Sequence, residues 1–106
     1  MLLLTIEYIP GKRIEALGVA KGSVVQSKNF GRDFMAGMKT LVGGEIEGYT
    51  ELLKEARQIA TKRMAEDAEA MGADAVINLR YASSSVMQGA AEVIAYGTAV
   101  KILGEA

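Results

Sequence analysis

Any chemistry in this chain has to run on a narrow set of side chains. Its 106 residues include no histidine and no cysteine. Imidazole acid/base catalysis, thiolate nucleophiles, disulfides, thiolate metal sites and iron–sulfur ligation are therefore excluded together. Carboxylates, Lys, Arg, Tyr, Ser/Thr and backbone amides remain. Arg32-Asp33, at an expected helix start, could bind a ligand through the guanidinium, although Asp there is a standard dipole-complementing residue. Gly43-Gly44-Glu45 suits either an anion-binding nest or a tight connection needing positive φ. Glu45, Glu47 and Glu51 could converge on a hard cation, or form a solvated acidic turn before a helix. The run Ser83-Ser84-Ser85-Val86-Met87-Gln88 is rich in hydroxyls, but no histidine exists to activate a serine, and Ser-rich turns are common. Gly18-Val19-Ala20-Lys21-Gly22-Ser23 fails as a phosphate loop, because Lys precedes the Gly and no helix follows. The ligand-binding candidates are thus Arg32, Asp33, Glu45, Ser85 and Gln88. No catalytic set, assigned metal ligands or cofactor accompanies them.

The element expected to organise these residues is one long helix from Tyr49 to Gly72. Leu53, Ala56, Ala60, Met64, Ala68 and Met71 fall three or four apart and form a narrow stripe of small residues that admits a closely packed partner. Gly72 suits a left-handed cap, after which the period changes. A shorter helix, Arg32 to Val42, is expected from Phe34, Met38, Leu41 and Val42, with Gly43 to Gly48 linking the two. Strands are expected at Leu2 to Ile9, ending at the Pro10-Gly11 turn, and at Ile14 to Gln26, Ala75 to Ala82 and Ala91 to Leu103. Ser83 to Gly89 reads as a polar connection.

Two of these strands show a face of Ala and Gly: Ala16, Gly18, Ala20 and Gly22 on one, and Ala95, Gly97 and Ala99 beside Val93 on the other. An α+β two-layer sandwich follows, in which an antiparallel sheet receives two helices on its small-residue face. The second face, with Leu17, Val19, Ile94, Tyr96, Val100 and Ile102, then lacks cover and calls for a partner, so a homo-oligomer is expected. The alternative is that the faces are swapped and the large residues lie under the helices.

Twelve basic and 13 acidic residues give a net charge of -1. No nucleic-acid or membrane partner is indicated by that balance. The first residues, Met1 to Glu7, reach a charge before a signal segment is complete, so the expected location is the cytoplasm. At this length the chain is expected to be one domain, 1–106, with a core that needs no staples.

Ile9-Pro10-Gly11, Asn29-Phe30-Gly31-Arg32-Asp33, Val42-Gly43-Gly44-Glu45, Tyr49-Thr50-Glu51-Leu52-Leu53, Ala70 to Val76 and Ser83 to Val100 together resemble the YbjQ family. The resemblance covers nearly the whole chain. It implies a dodecin-subunit-like protomer assembled as a homopentamer, and a heavy-metal-binding label without an established activity. That label fits poorly here, since a soft-metal site would have only Met sulfur and carboxylates to draw on. The expected partners are therefore further copies of the chain and, as an alternative, a metal ion or small ligand. A hydrolase or transferase ranks last.

Overall fold

A computed structural model describes residues 1–27, 44–87 and 90–106, the side chains of 27 and 44–49 excepted. In chain order the elements are β1 (Leu2–Leu3), β2 (Lys12–Ser27), α1 (Gly44–Ala70), β3 (Ala75–Met87) and β4 (Ala90–Glu105). The four strands form one sheet in the order β1-β3-β4-β2. β2 and β3 both pair antiparallel with β4, whereas β1 pairs parallel with β3. The sheet is therefore mixed rather than wholly antiparallel as expected. Of the two expected helices the long one is present, and Arg32 to Val42 lies outside the described residues.

α1 starts earlier than Tyr49 because the Gly44 to Gly48 link is itself helical. At the other end Gly72 takes φ 82°. Its N–H donates to the Glu69 carbonyl at 2.9 Å, and the Ala73 N–H donates to that of Ala68 at 3.1 Å. These are the paired bonds of a Schellman cap, and they satisfy carbonyls the helix would otherwise leave open.

The helix lies chiefly across β2, then β4, and hardly touches β3. Ala56, Ala60, Met64 and Ala68 are fully buried against Ala20, Val93, Ala95 and Ala99. The small-residue faces do meet, as their composition requires. Leu53 and Met71, the ends of the expected stripe, are instead exposed. The closest approach is at Gly22, where an added Cβ would stand 2.2 Å from the Met64 nitrogen and 2.5 Å from the Ala60 oxygen. Gly97 is equally crowded, but by β3: a Cβ there would meet Val76 Cγ1 at 2.6 Å and the Ile77 oxygen at 2.8 Å.

The opposite face is partly covered, which the sequence pattern did not anticipate. Leu2 to Ile9 is a strand only at Leu2–Leu3. Beyond it the chain folds across the sheet, so that Leu4 and Ile9 pack with Ile14, Ala75, Ile77, Val100 and Ile102. The cause lies in β3, where the register shifts between Ile77 and Arg80 and Asn78 takes φ 53°. Through that bulge the Asn78 N–H donates to Ile6 at 2.9 Å and the Leu79 N–H to Leu4 at 3.0 Å. Arg80 adds a guanidinium bond of 3.0 Å to the Thr5 carbonyl. The segment ends in a Pro10-Gly11 turn with Gly11 at φ 76° and the Lys12 N–H on the Ile9 carbonyl at 3.0 Å, as a type II turn requires.

Ser83 to Met87 is also strand rather than connection, with Ser83, Ser84 and Ser85 opposite Val93, Glu92 and Ala91. Weak β-formers are carried here by a long neighbouring strand that offers a continuous ladder.

Candidate interaction surface

Opposed residues of paired antiparallel strands share a face, so the outer face can be read from the register. Val19, Lys21, Ser23 and Val25 of β2 stand opposite Thr98, Tyr96, Ile94 and Glu92 of β4. Arg80 and Ala82 of β3 stand opposite Tyr96 and Ile94 from the other side. The folded-back N-terminal segment covers the end of the face around Ile77, Val100 and Ile102, and leaves this end open. Val19 is 64% exposed, Val25 56% and Tyr96 39%. Ile94 is half-buried. Ile6 and Tyr8, on the outside of the covering segment, are exposed as well. Leu17, expected on this face, packs instead beside the helix cluster, because the register shift between Ala16 and Gly18 turns the strand.

The two sheet edges differ. Along β2 the Lys21 N–H donates to Asp67 Oδ2 at 3.0 Å, and the Ser23 carbonyl accepts from the Arg63 guanidinium at 2.7 Å. Helix side chains thus occupy backbone groups that an added strand would need, a recognised way of protecting an edge. β1 flanks β3 only at Ala75 and Val76. From Tyr81 to Met87 no strand lies beside the outer edge of β3 among the described residues.

Arg32, Asp33 and Gln88 lie outside the described residues, and of Glu45 only the backbone, in the first turn of α1, is described. Ser85 is exposed on β3, and its hydroxyl donates to the Met87 carbonyl at 3.3 Å. Glu45 and Glu47, expected in the link before the long helix, fall on the same helix as Glu51. Among the described residues no group of three or more His, Cys, Asp or Glu is placed to hold a metal ion. No helix among them is long and apolar enough to cross a membrane. No motif in the sequence marks Arg63 and Asp67 as an edge-guarding pair. Their spacing of four gave the shared face but not the strand beneath.

Residues 1–103 match the model of the YbjQ family, described as "Putative heavy-metal-binding". The chain belongs to the YbjQ family. Relatives named "UPF0145 protein" include one from Clostridium novyi, 62% identical over 103 residues and covering 97% of this chain and all of that one. Another, from Thermotoga maritima, is 60% identical and covers 96% and 97%. A third, from Vibrio campbellii, is 57% identical over 104 residues, covering 97% of this YbjQ-family chain and 100% of the relative. Among solved structures, a protein of unknown function of the DUF74 family from Pediococcus pentosaceus is similar in fold. It has a TM-score of 0.68 at 18% identity and covers 96% of this chain and 97% of that one. None of these names is that of an enzyme.

Proposed function

We propose that this YbjQ-family chain is a single-domain binding or scaffold protein that works as a homo-oligomer, a pentamer, and has no enzymatic activity. The observation that carries the reading is the open half of the outer sheet face, where Val19, Val25 and Tyr96 stand exposed beside Ile94. Apolar side chains exposed together on one sheet face, here interspersed with Lys21, Ser23, Arg80 and Glu92, are the composition of an interaction site. A further copy is the natural occupant, because one self-complementary or ring-closing contact buries it in every protomer at once. The elongation of the described structure, 57 × 22 × 17 Å with a radius of gyration of 17.2 Å, supports this. A compact chain of this length would have about 13 Å. The pentameric count is what the family resemblance implies. Light scattering on the eluting protein tests it: a fivefold protomer mass is expected, and a monomer at micromolar concentration overturns the proposal.

The family description favours a second reading, binding of a metal or small ligand through Arg32, Asp33, Glu45, Ser85 and Gln88. With no thiolate or imidazole, zinc, copper and cadmium should find no tight stoichiometric site. A ring could instead repeat one carboxylate, Asp33 or Glu45, around its axis and offer the converging oxygens a hard cation needs. Calorimetry on tag-free protein decides. Submicromolar zinc binding lost in Glu45→Ala or Asp33→Ala would restore the heavy-metal role.

A further inference from the structure

Beside its alanine stripe α1 carries another: Lys54, Arg57, Gln58, Thr61 and Lys62 recur at three and four residues and share one side of the helix. That side borders an open groove of about 470 Å³, closed opposite by Leu3 of β1 and Tyr81 of β3. A smaller hollow of about 190 Å³ continues past Tyr81 to Ala82 and Ser83, with Arg57 and Tyr81 common to both.

The wall formed by Tyr81 is fixed. The Thr61 hydroxyl donates to the Arg57 carbonyl at 2.6 Å, so its single proton is committed. The Tyr81 hydroxyl, also 2.6 Å from Thr61 Oγ1, must then be the donor in that contact. The ring is held with one side towards the groove, and its hydroxyl proton is not available to a ligand. Apolar surface comes from this ring, Leu3 and Ala65, while the charged groups lining the groove are Lys54, Arg57 and Lys62, with no carboxylate among them. None of the three makes an ion pair among the described residues. A concentration of positive charge against an apolar wall stands out in a chain whose net charge is -1.

We propose that this groove binds a small phosphate monoester carrying an apolar body, an aryl or alkyl phosphate. A phosphate monoester brings about -1.5 to -2 charge and three acceptor oxygens, which suits three cations better than a single carboxylate does. The Arg57 guanidinium offers a planar fork for two of those oxygens. Leu3, Ala65 and the Tyr81 ring take the ester's apolar group. A metal ion is repelled from the same place, so the site is separate from any heavy-metal role, and it does not depend on the assembly proposed above.

Calorimetry on the full chain, titrated with phenyl phosphate and separately with inorganic phosphate and phenol, tests both halves of the site. Phenyl phosphate should bind roughly tenfold or more tightly than either fragment, and less tightly as salt is raised. Arg57→Gln, and separately Lys54→Gln, should weaken it by about tenfold with parental helix content and native mass, as expected for loss of a hydrogen bond to a charged group. Absence of phenyl phosphate binding at millimolar concentration overturns the proposal. So does inorganic phosphate binding as tightly, or undiminished binding by both variants.

Discussion

At the scale of single residues, the fold depends on places where a side chain would not fit. Gly22 sits under the turn of α1 that contains Ala60 and Met64, and its missing Cβ is what allows backbone to lie on backbone. Gly22→Ala should therefore overpack, with a cost of about 1 to 3 kcal/mol, read as a lowered denaturant midpoint. A midpoint equal to the parent's would mean the helix does not sit there. Gly97→Leu should destabilise by at least as much, but by prising β4 from β3 at Val76 and Ile77 rather than by lifting the helix. Gly72 is required for a different reason, its φ of 82°. Gly72→Ala forces a Cβ into the left-handed region at about 1 to 2 kcal/mol, and an unchanged melting curve would argue against the cap.

At the scale of elements, the parts that could be read from the sequence are those with a repeating signal. Alternation of Ala and Gly on β2 and β4, and their recurrence on α1, identified the buried face, because small residues at the same period on two elements have few other uses. The covering N-terminal segment had no such signal. It depends on one bulge at Asn78, a single non-glycine residue at φ 53°, and nothing in the run Leu2 to Ile9 distinguishes a crossing segment from an edge strand. The serine run misled in the opposite direction. Its local preference is for turns, and only the length of β4 draws it into the ladder. The edge guard was equally invisible, since Arg63 and Asp67 look like a surface pair until β2 is placed beneath them. Removing both, Arg63→Ala with Asp67→Ala, should leave Lys21 N–H and Ser23 C=O free for an added strand. The expected outcome is faster aggregation on gentle heating, followed by light scattering. Parental behaviour would show that the edge is shielded by something else.

At the scale of the whole molecule, the make-up of the core bears on the proposed association. Among the described residues the largest fully buried side chains are Met64, Val76 and Val100, and the helix–sheet layer around Met64 and Val76 is mostly alanine, with Val93 and Leu79 the other large buried side chains in it. A fully buried Val, Leu or Met contributes about 1.5 to 3 kcal/mol relative to exposure, and an alanine methyl much less, so an alanine-lined layer stabilises a lone protomer weakly. Folded domains hold only about 5 to 15 kcal/mol in total, which leaves little margin when part of the apolar surface faces water. Burial of Val19, Val25, Ile94 and Tyr96 between copies would supply the missing term, and folding would then be linked to association. Linked folding has a signature that a stable monomer lacks: the melting temperature rises with protein concentration. Tyr96→Asp places a charge at the centre of the face without touching the helix layer. It should lower the mass seen by light scattering, lower the melting temperature, and flatten its dependence on concentration. All three changes are expected together. A variant that loses stability while keeping parental mass would mean that Tyr96 serves the protomer's own sheet, and that the open face is not where the copies meet.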